Sequence, residues 1–233
     1  MKKSFLLTFI SLLPLIVMAD TVEIDGIYYN LIFKTREAEV TSNPNKYTGN
    51  ILIQEKVIYD EVIYDVISIE EKAFYDCSSL TSVTIPSSVK SIGKDAFKNC
   101  SSLSSVNISD LSAWCNIKFT YSYSNPLSCA HNLYINGQEI KELNLPNNLS
   151  SISSYAFISC SGLSSVIIPK SVKEIGEYAF GYCSGLTSVN IPDCVTTIGM
   201  SAFEGCNNLT SITIPNSIIT IGDGAFYRVF RVL

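Results

Sequence analysis

An alanine-phenylalanine pair returns through this chain on a 23-residue period. The phenylalanines are Phe74, Phe97, Phe157, Phe180, Phe203 and Phe226, and only the step from Phe97 to Phe157 differs, at 60 residues. The flanking letters return with them as Ile-Gly-x-x-Ala-Phe-x-x-Cys-x-x-Leu, with small variations. A period in the twenties specifies a solenoid: one unit carries more apolar surface than it can bury, and only the next unit can cover it. Such folds offer extended surfaces more readily than closed catalytic pockets, so the repeat constrains function as well.

One unit, residues 169–191, shows the physics. Gly176 is placed to turn the chain, Ala179, Phe180 and Cys183 enter the core, and Leu186, Val189 and Ile191 form the pattern L-x-x-V-x-I. That pattern predicts a short strand with Val189 and Ile191 inward and Ser188 and Asn190 outward. Equivalent strands are predicted at 80–85, 103–108, 163–168 and 209–214, and all but 103–108 run into proline, which cannot donate to a ladder. Running in one direction in every coil, they form a parallel sheet on one face. The return half is too short and polar for a long helix, so turns or 3₁₀ segments with a brief extended piece are expected there. The repeat phenylalanines are core residues rather than a row of ligand-stacking rings.

Two regions leave the rhythm. From Ile108 to Leu145 the spacing is 37 rather than 23, so a long variant coil at about 109–145 holds 14 extra residues. It carries the only tryptophan, Trp114, with Tyr121, Tyr123 and His131, and closes on a hairpin at Asn136-Gly137. It is expected to bulge outward without breaking the stack. Ahead of the repeats (65–233), residues 20–64 alternate apolar and polar letters around the turn signal Asp25-Gly26, as a β-rich cap would. At the other end Val229 and Val232 fill the cysteine and leucine slots, leaving an expected open edge for self-association.

Residues 1–19 read as a secretory signal peptide: Lys2 and Lys3, an uncharged run from Phe5 to Met18, and small residues before a cut after Ala19. No membrane span is expected after cleavage. Without the two leading lysines, 14 basic residues stand against 21 acidic ones, a net of −7 with no basic cluster, which argues against nucleic acid. A single histidine leaves little room for metal or acid–base chemistry. Five of the eight cysteines, Cys77, Cys100, Cys160, Cys183 and Cys206, follow their phenylalanine by three residues and share one inward slot, so buried thiols are expected there. Cys115 and Cys129 are the better disulfide candidates in an exported chain.

The segment Ile85-Pro86-Ser87-Ser88-Val89-Lys90-Ser91-Ile92-Gly93-Lys94-Asp95-Ala96-Phe97 resembles the BspA-type leucine-rich repeat family. Leu111-Ser112-Ala113-Trp114-Cys115 and Asn132-Leu133-Tyr134-Ile135-Asn136-Gly137 are similar to that family's longer repeat variant, and Asp25-Gly26-Ile27-Tyr28-Tyr29 to its leader strand. The resemblance implies a leucine-rich-repeat solenoid, secreted or on the cell surface. It implies a role in adhesion to host matrix proteins or other cells, and no catalytic residues or cofactor.

The expected function is therefore a secreted or cell-surface, non-catalytic binding module for an extracellular protein or glycan. Its candidate surface is the outward side of the sheet, Ser82, Thr84, Ser105, Asn107, Ser165, Ile167, Ser188, Asn190, Ser211 and Thr213. Trp114, Tyr121 and Tyr123 of the insertion form a second candidate, since exposed aromatic side chains favour contact hot spots, with core or cap packing the equal alternative for Trp114. An assembly role through the C-terminal edge is the alternative. A hydrolase is remote: the chain has no G-x-S-x-G or H-E-x-x-H, and only His131 to serve as a base.

Overall fold

A computed structural model of the protein describes residues 20–229. The expected signal peptide, and Val232, lie outside the described residues. The chain enters as a meander, β1 (Asp20–Ile24), β2 (Ile27–Ile32) and β3 (Glu37–Val40), antiparallel throughout. Asp25 and Gly26 take φ of 50° and 80° in the first turn, the left-handed pair that a two-residue hairpin requires. Next come β4 (Gly49–Leu52), β5 (Lys56–Tyr59) and β6 (Val62–Ile69). β5 and β6 form a second hairpin, and β6 runs through residues 64 and 65 without a break. Buried Tyr47 lays its ring 4.6 Å from Phe74, so this segment packs directly on the first coil.

The coils then alternate two kinds of strand. β7 (Leu80–Ile85) pairs in parallel with β4, which begins the wide sheet, β8 (Ser91–Ile92) belongs to the return face, and β9 (Ser105–Ile108) pairs with β7. The insertion contributes α1 (Leu111–Cys115), β10 (Lys118–Phe119), α2 (Leu127–Ala130), β11 (Leu133–Ile135) and β12 (Gln138–Glu139). After it follow β13 (Glu142–Asn144), β14 (Ser151–Ile152), β15 (Ser165–Ile167), β16 (Glu174–Ile175), β17 (Ser188–Asn190), β18 (Thr197–Ile198) and β19 (Thr220–Ile221). The fold is the expected solenoid, with one apolar core running through it.

A third ladder holds the turn face. In every coil the residues two before and two after the phenylalanine have positive φ, as Lys72 and Asp76 do around Phe74, and Tyr178 and Tyr182 around Phe180. Alternating the backbone hand turns every second N–H toward the following coil, while those between bond back within their own turn. Tyr178 N reaches Met200 O at 2.9 Å and Phe180 N reaches Ala202 O at 2.8 Å; Ser201, Phe203 and Gly205 repeat the pattern on the next coil. A left-handed non-glycine residue costs about 1 kcal/mol, and each ladder bond returns about 1 kcal/mol. This face consists of turns; among the described residues only Ser122–Ser124 is a 3₁₀ segment.

The phenylalanine rings form the inner column. Phe157, Phe180, Phe203 and Phe226 stack at 5.3, 5.5 and 5.7 Å with interplanar angles of 8° or less. The cysteine slot contributes more than bulk. Cys100, Cys183 and Cys206 donate S–H to the carbonyls of Phe74, Phe157 and Phe180, one coil back, at 3.1, 3.0 and 3.2 Å. Gly176 has no positive φ; its role is proximity. A Cβ there would stand 2.5 Å from Ser154 N, and one on Gly199 2.6 Å from Glu177 N. The glycine lets two backbones touch rather than turning the chain.

Three expectations need correction. First, the insertion is not a bulge on one coil. β11 joins the wide sheet as an additional coil, with Leu133 in register with Val106, and β12 folds back on β11. β13 then starts a separate sheet with β15 and β17, and the return face divides likewise between β10 and β14. The backbone ladders thus stop where the core continues. Side chains bridge the gap: Trp114 Nε1 donates to Ala156 O at 2.9 Å, and buried Asn125 Nδ2 donates to Tyr155 O at 2.8 Å. Second, β7 has its predicted span, but β9, β15 and β17 begin two residues later than predicted, and β15 and β17 end one residue earlier. Third, 209–214 forms no strand: Leu209 is buried, but Ile214 is 39% exposed and nothing there pairs with β17.

Candidate functional site

The wide sheet turns alternate side chains outward, and the sequence-derived positions follow that rule. Ser82 pairs with Ser105 and Thr84 with Asn107, all half-buried. Ser165 pairs with Ser188 and Ile167 with Asn190; Ile167 is 55% exposed. These residues form two groups rather than one face, since the sheet is divided at β12. Ser211 and Thr213 are exposed but stand on the segment that forms no strand. Pairing also brings in outward residues that the repeat template did not single out: Leu52 beside Thr84, Tyr134 beside Asn107, and Glu142 and Asn144 on β13.

Trp114 is not on the surface. It is 1% exposed and edge-on to Phe119 at 5.3 Å, packed in the core of the inserted coil. It therefore leaves the list of contact residues. Tyr121 and Tyr123 are exposed, at 54% and 42%, but lie on the turn face, away from the sheet.

There Tyr121 opens a cleft of about 280 Å³ with Tyr155, Glu177, Tyr178, Tyr182 and Met200. Tyr155 and Tyr178 stack at 5.7 Å and 9°, Tyr178 and Tyr182 at 6.2 Å and 18°, and Tyr121 tilts against Tyr155 at 6.2 Å. Two glycines seat these rings: a Cβ on Gly181 would lie 2.8 Å from Tyr178 Cδ1, and one on Gly205 2.7 Å from Tyr182 Cδ1. Tyr155 donates its hydroxyl to Glu177 Oε1 at 2.7 Å, and Tyr182 to Glu204 Oε1 at 2.6 Å. The bond to Glu204, with some burial, pushes the Tyr182 phenol up to about 12. Burial, then Glu177, raises Tyr155 as well. Burial opposes ionisation of Glu204, yet hydrogen bonds from Ser201, Tyr182 and Tyr178 and the Arg228 charge hold its carboxyl below the ordinary value. Sequence reasoning missed this cleft. Its signal was the tyrosine two residues before the phenylalanine in consecutive repeats, Tyr155 and Tyr178.

The thiols separate as expected in the slot and not elsewhere. All eight cysteines are free. Cys129 donates to Phe97 O at 3.2 Å, so it is the slot cysteine of the inserted coil rather than a partner for Cys115, which is buried on α1. Burial raises Cys160, Cys206 and Cys115 to about 12. His131 caps α2 in a left-handed conformation, its Nδ1 3.0 Å from Ser159 O. Among the described residues no group of three or more His, Cys, Asp or Glu could hold a metal ion, and no helix is long and apolar enough to cross a membrane.

Six copies of the BspA type leucine rich repeat region match the chain, over residues 55–136 and 127–232. The protein belongs to this family. A T. pallidum leucine-rich repeat protein superposes with a TM-score of 0.57 and 28% identity, over 90% of this chain and 91% of that one. A Bacteroides ovatus leucine-rich repeat protein gives 0.55 and 28%, over 89% of this chain and 56% of that one. No curated protein matches.

Proposed function

We propose that the protein is a non-catalytic binding module, secreted or held at the cell surface, that recognises an extracellular protein or glycan. The observation that carries this reading is the rigid presentation of exposed side chains. Rows such as Ser165, Ser188 and Ile167, Asn190 are fixed at strand spacing by a backbone ladder over a packed core. A surface ordered before contact loses little conformational freedom on binding. The leucine-rich-repeat fold supports the same reading, because it is typically a scaffold for binding rather than catalysis.

The test is the chain from residue 20 onward, presented to an array of matrix proteins, mucins and glycans. Arginine at Ser188 and Asn190 should weaken the captured ligand at least about tenfold, through clash and an unpaired charge, with the melting temperature unchanged. An empty array, or capture that ignores both substitutions and the tyrosine cleft, would overturn the proposal. Self-association is a second reading, favoured by Ile219 and Ile221, which are 82% and 48% exposed on the last described coil. Light scattering that finds monomers at all concentrations would remove it.

A further inference from the structure

We infer that the tyrosine cleft on the turn face binds an arginine side chain of a partner protein. This deepens the binding-module reading, on which it rests, and gives that module a second surface distinct from the sheet.

The argument begins with donors and acceptors. The phenol protons of Tyr155 and Tyr182 are committed to Glu177 and Glu204. What remains is an unpaired carboxylate oxygen, ring surface, and the hydroxyls of Tyr121, Ser122 and Tyr178, which can accept as well as donate. Glu177, in the lining, uses Oε1 for Tyr155, and its Oε2 has no hydrogen-bond partner among the described residues. The complementary ligand brings donors and no acceptor. A guanidinium carries five N–H donors in a planar fork and no acceptor, and its plane lies well on aromatic rings.

Charge points the same way. No lysine or arginine lines the cleft, and residues 20–233 carry a net of −7. On the same face the chain already places cations over tyrosines: Lys98 Nζ lies 5.9 Å from the centroid of Tyr123, and Arg228 Cζ 5.3 Å from that of Tyr227. Both distances fall within cation–π range. The rings of Tyr121, Tyr155, Tyr178 and Tyr182 have no such occupant among the described residues. The site is also organised in advance, since Gly181 and Gly205 leave room that only these rings fill.

The probe is the peptide acetyl-Gly-Arg-Gly-amide, titrated into the chain from residue 20 onward while tyrosine ring resonances are followed. Its citrulline counterpart, equal in shape but uncharged, is the control. Saturable shifts with the arginine peptide are expected, with the citrulline peptide at least about tenfold weaker. Loss of a charge-assisted hydrogen bond is worth about that factor. Glu177→Gln should weaken binding about tenfold. Glu174→Gln changes the net charge equally at an exposed position outside the cleft and should leave it within about twofold. Tyr178→Phe keeps the ring and should keep most of the affinity, while Tyr178→Ala should lose it. Trp114 fluorescence reports whether each variant is folded. Equal binding of the citrulline peptide, equal effects of the two glutamate substitutions, or no saturable shift would each overturn the inference. If the array yields a ligand while the arginine peptide does nothing, this inference falls and the binding module stands.

Discussion

Truncating Phe180 to alanine tests the physical basis of the stack. The ring is fully buried between Phe157 at 5.3 Å and Phe203 at 5.5 Å. Removing it forfeits its transfer free energy and leaves a cavity that stiff neighbouring coils cannot close, for a total of about 3–5 kcal/mol. Two stacked pairs are lost as well, each worth about 0.5–1.5 kcal/mol beyond buried area, so the upper part of that range is expected. Phe226 is half-buried and among the described residues meets one ring, Phe203, at 5.7 Å, so Phe226→Ala should cost about half as much. Urea unfolding followed by circular dichroism and by Trp114 fluorescence measures both, and reports from two parts of the chain. A double-mutant cycle sharpens the comparison. Phe180 with Phe203 should couple by about 0.5–1.5 kcal/mol, while Phe74 with Phe203, with the inserted coil between them, should be additive within about 0.5 kcal/mol. Equal losses at Phe180 and Phe226, or no coupling between stacked neighbours, would refute a column in which each ring is the wall of the next.

The thiols make a second prediction. At pH 8 an aromatic disulfide reagent should modify at most Cys129 and Cys194, the two half-buried cysteines, and all eight after denaturation; rapid reaction of more than two would contradict the buried slot. The third concerns alkali. Tyr182 has its pKa raised from 10.0 to about 12, so its contribution to stability is fully present below pH 10 and is lost as the pH rises toward 12. Tyr182→Phe should remove that part of the alkaline destabilisation, and an unchanged profile would show that its bond to Glu204 does not form in solution.

What the sequence disclosed follows from what repetition can encode. A letter recurring at a fixed interval in a solenoid occupies a fixed place, so Phe180, Cys183 and Val189 were assignable to the interior without coordinates. Positions that depend on the neighbouring coil were not. Gly176 appeared to be a turn residue, because its proximity to Ser154 N exists only once two coils are stacked. Trp114 could be read as core or contact, because nothing in the local pattern of the insertion shows which neighbouring coil buries it. Leu133–Ile135 was legible as half of a hairpin, yet its pairing with β9 across 27 residues has no local signature. The sheet face was accessible from two-residue alternation. The tyrosine cleft was hidden by left-handed residues on either side of each phenylalanine, a conformation that tyrosine does not advertise.

The divided ladders have a consequence for how a chain of this kind can change length. Between regular coils, such as those of Phe157 and Phe180, the same three backbone bonds recur at each junction, so one unit of 23 residues could be duplicated or deleted and the flanking surfaces would still fit. The junction beside Trp114 and Asn125 is built differently: their side chains donate to the backbone carbonyls of Ala156 and Tyr155, and no strand ladder runs across it. The molecule is therefore two extensible arrays, free to lengthen on either side of a seam that no repeated ladder crosses.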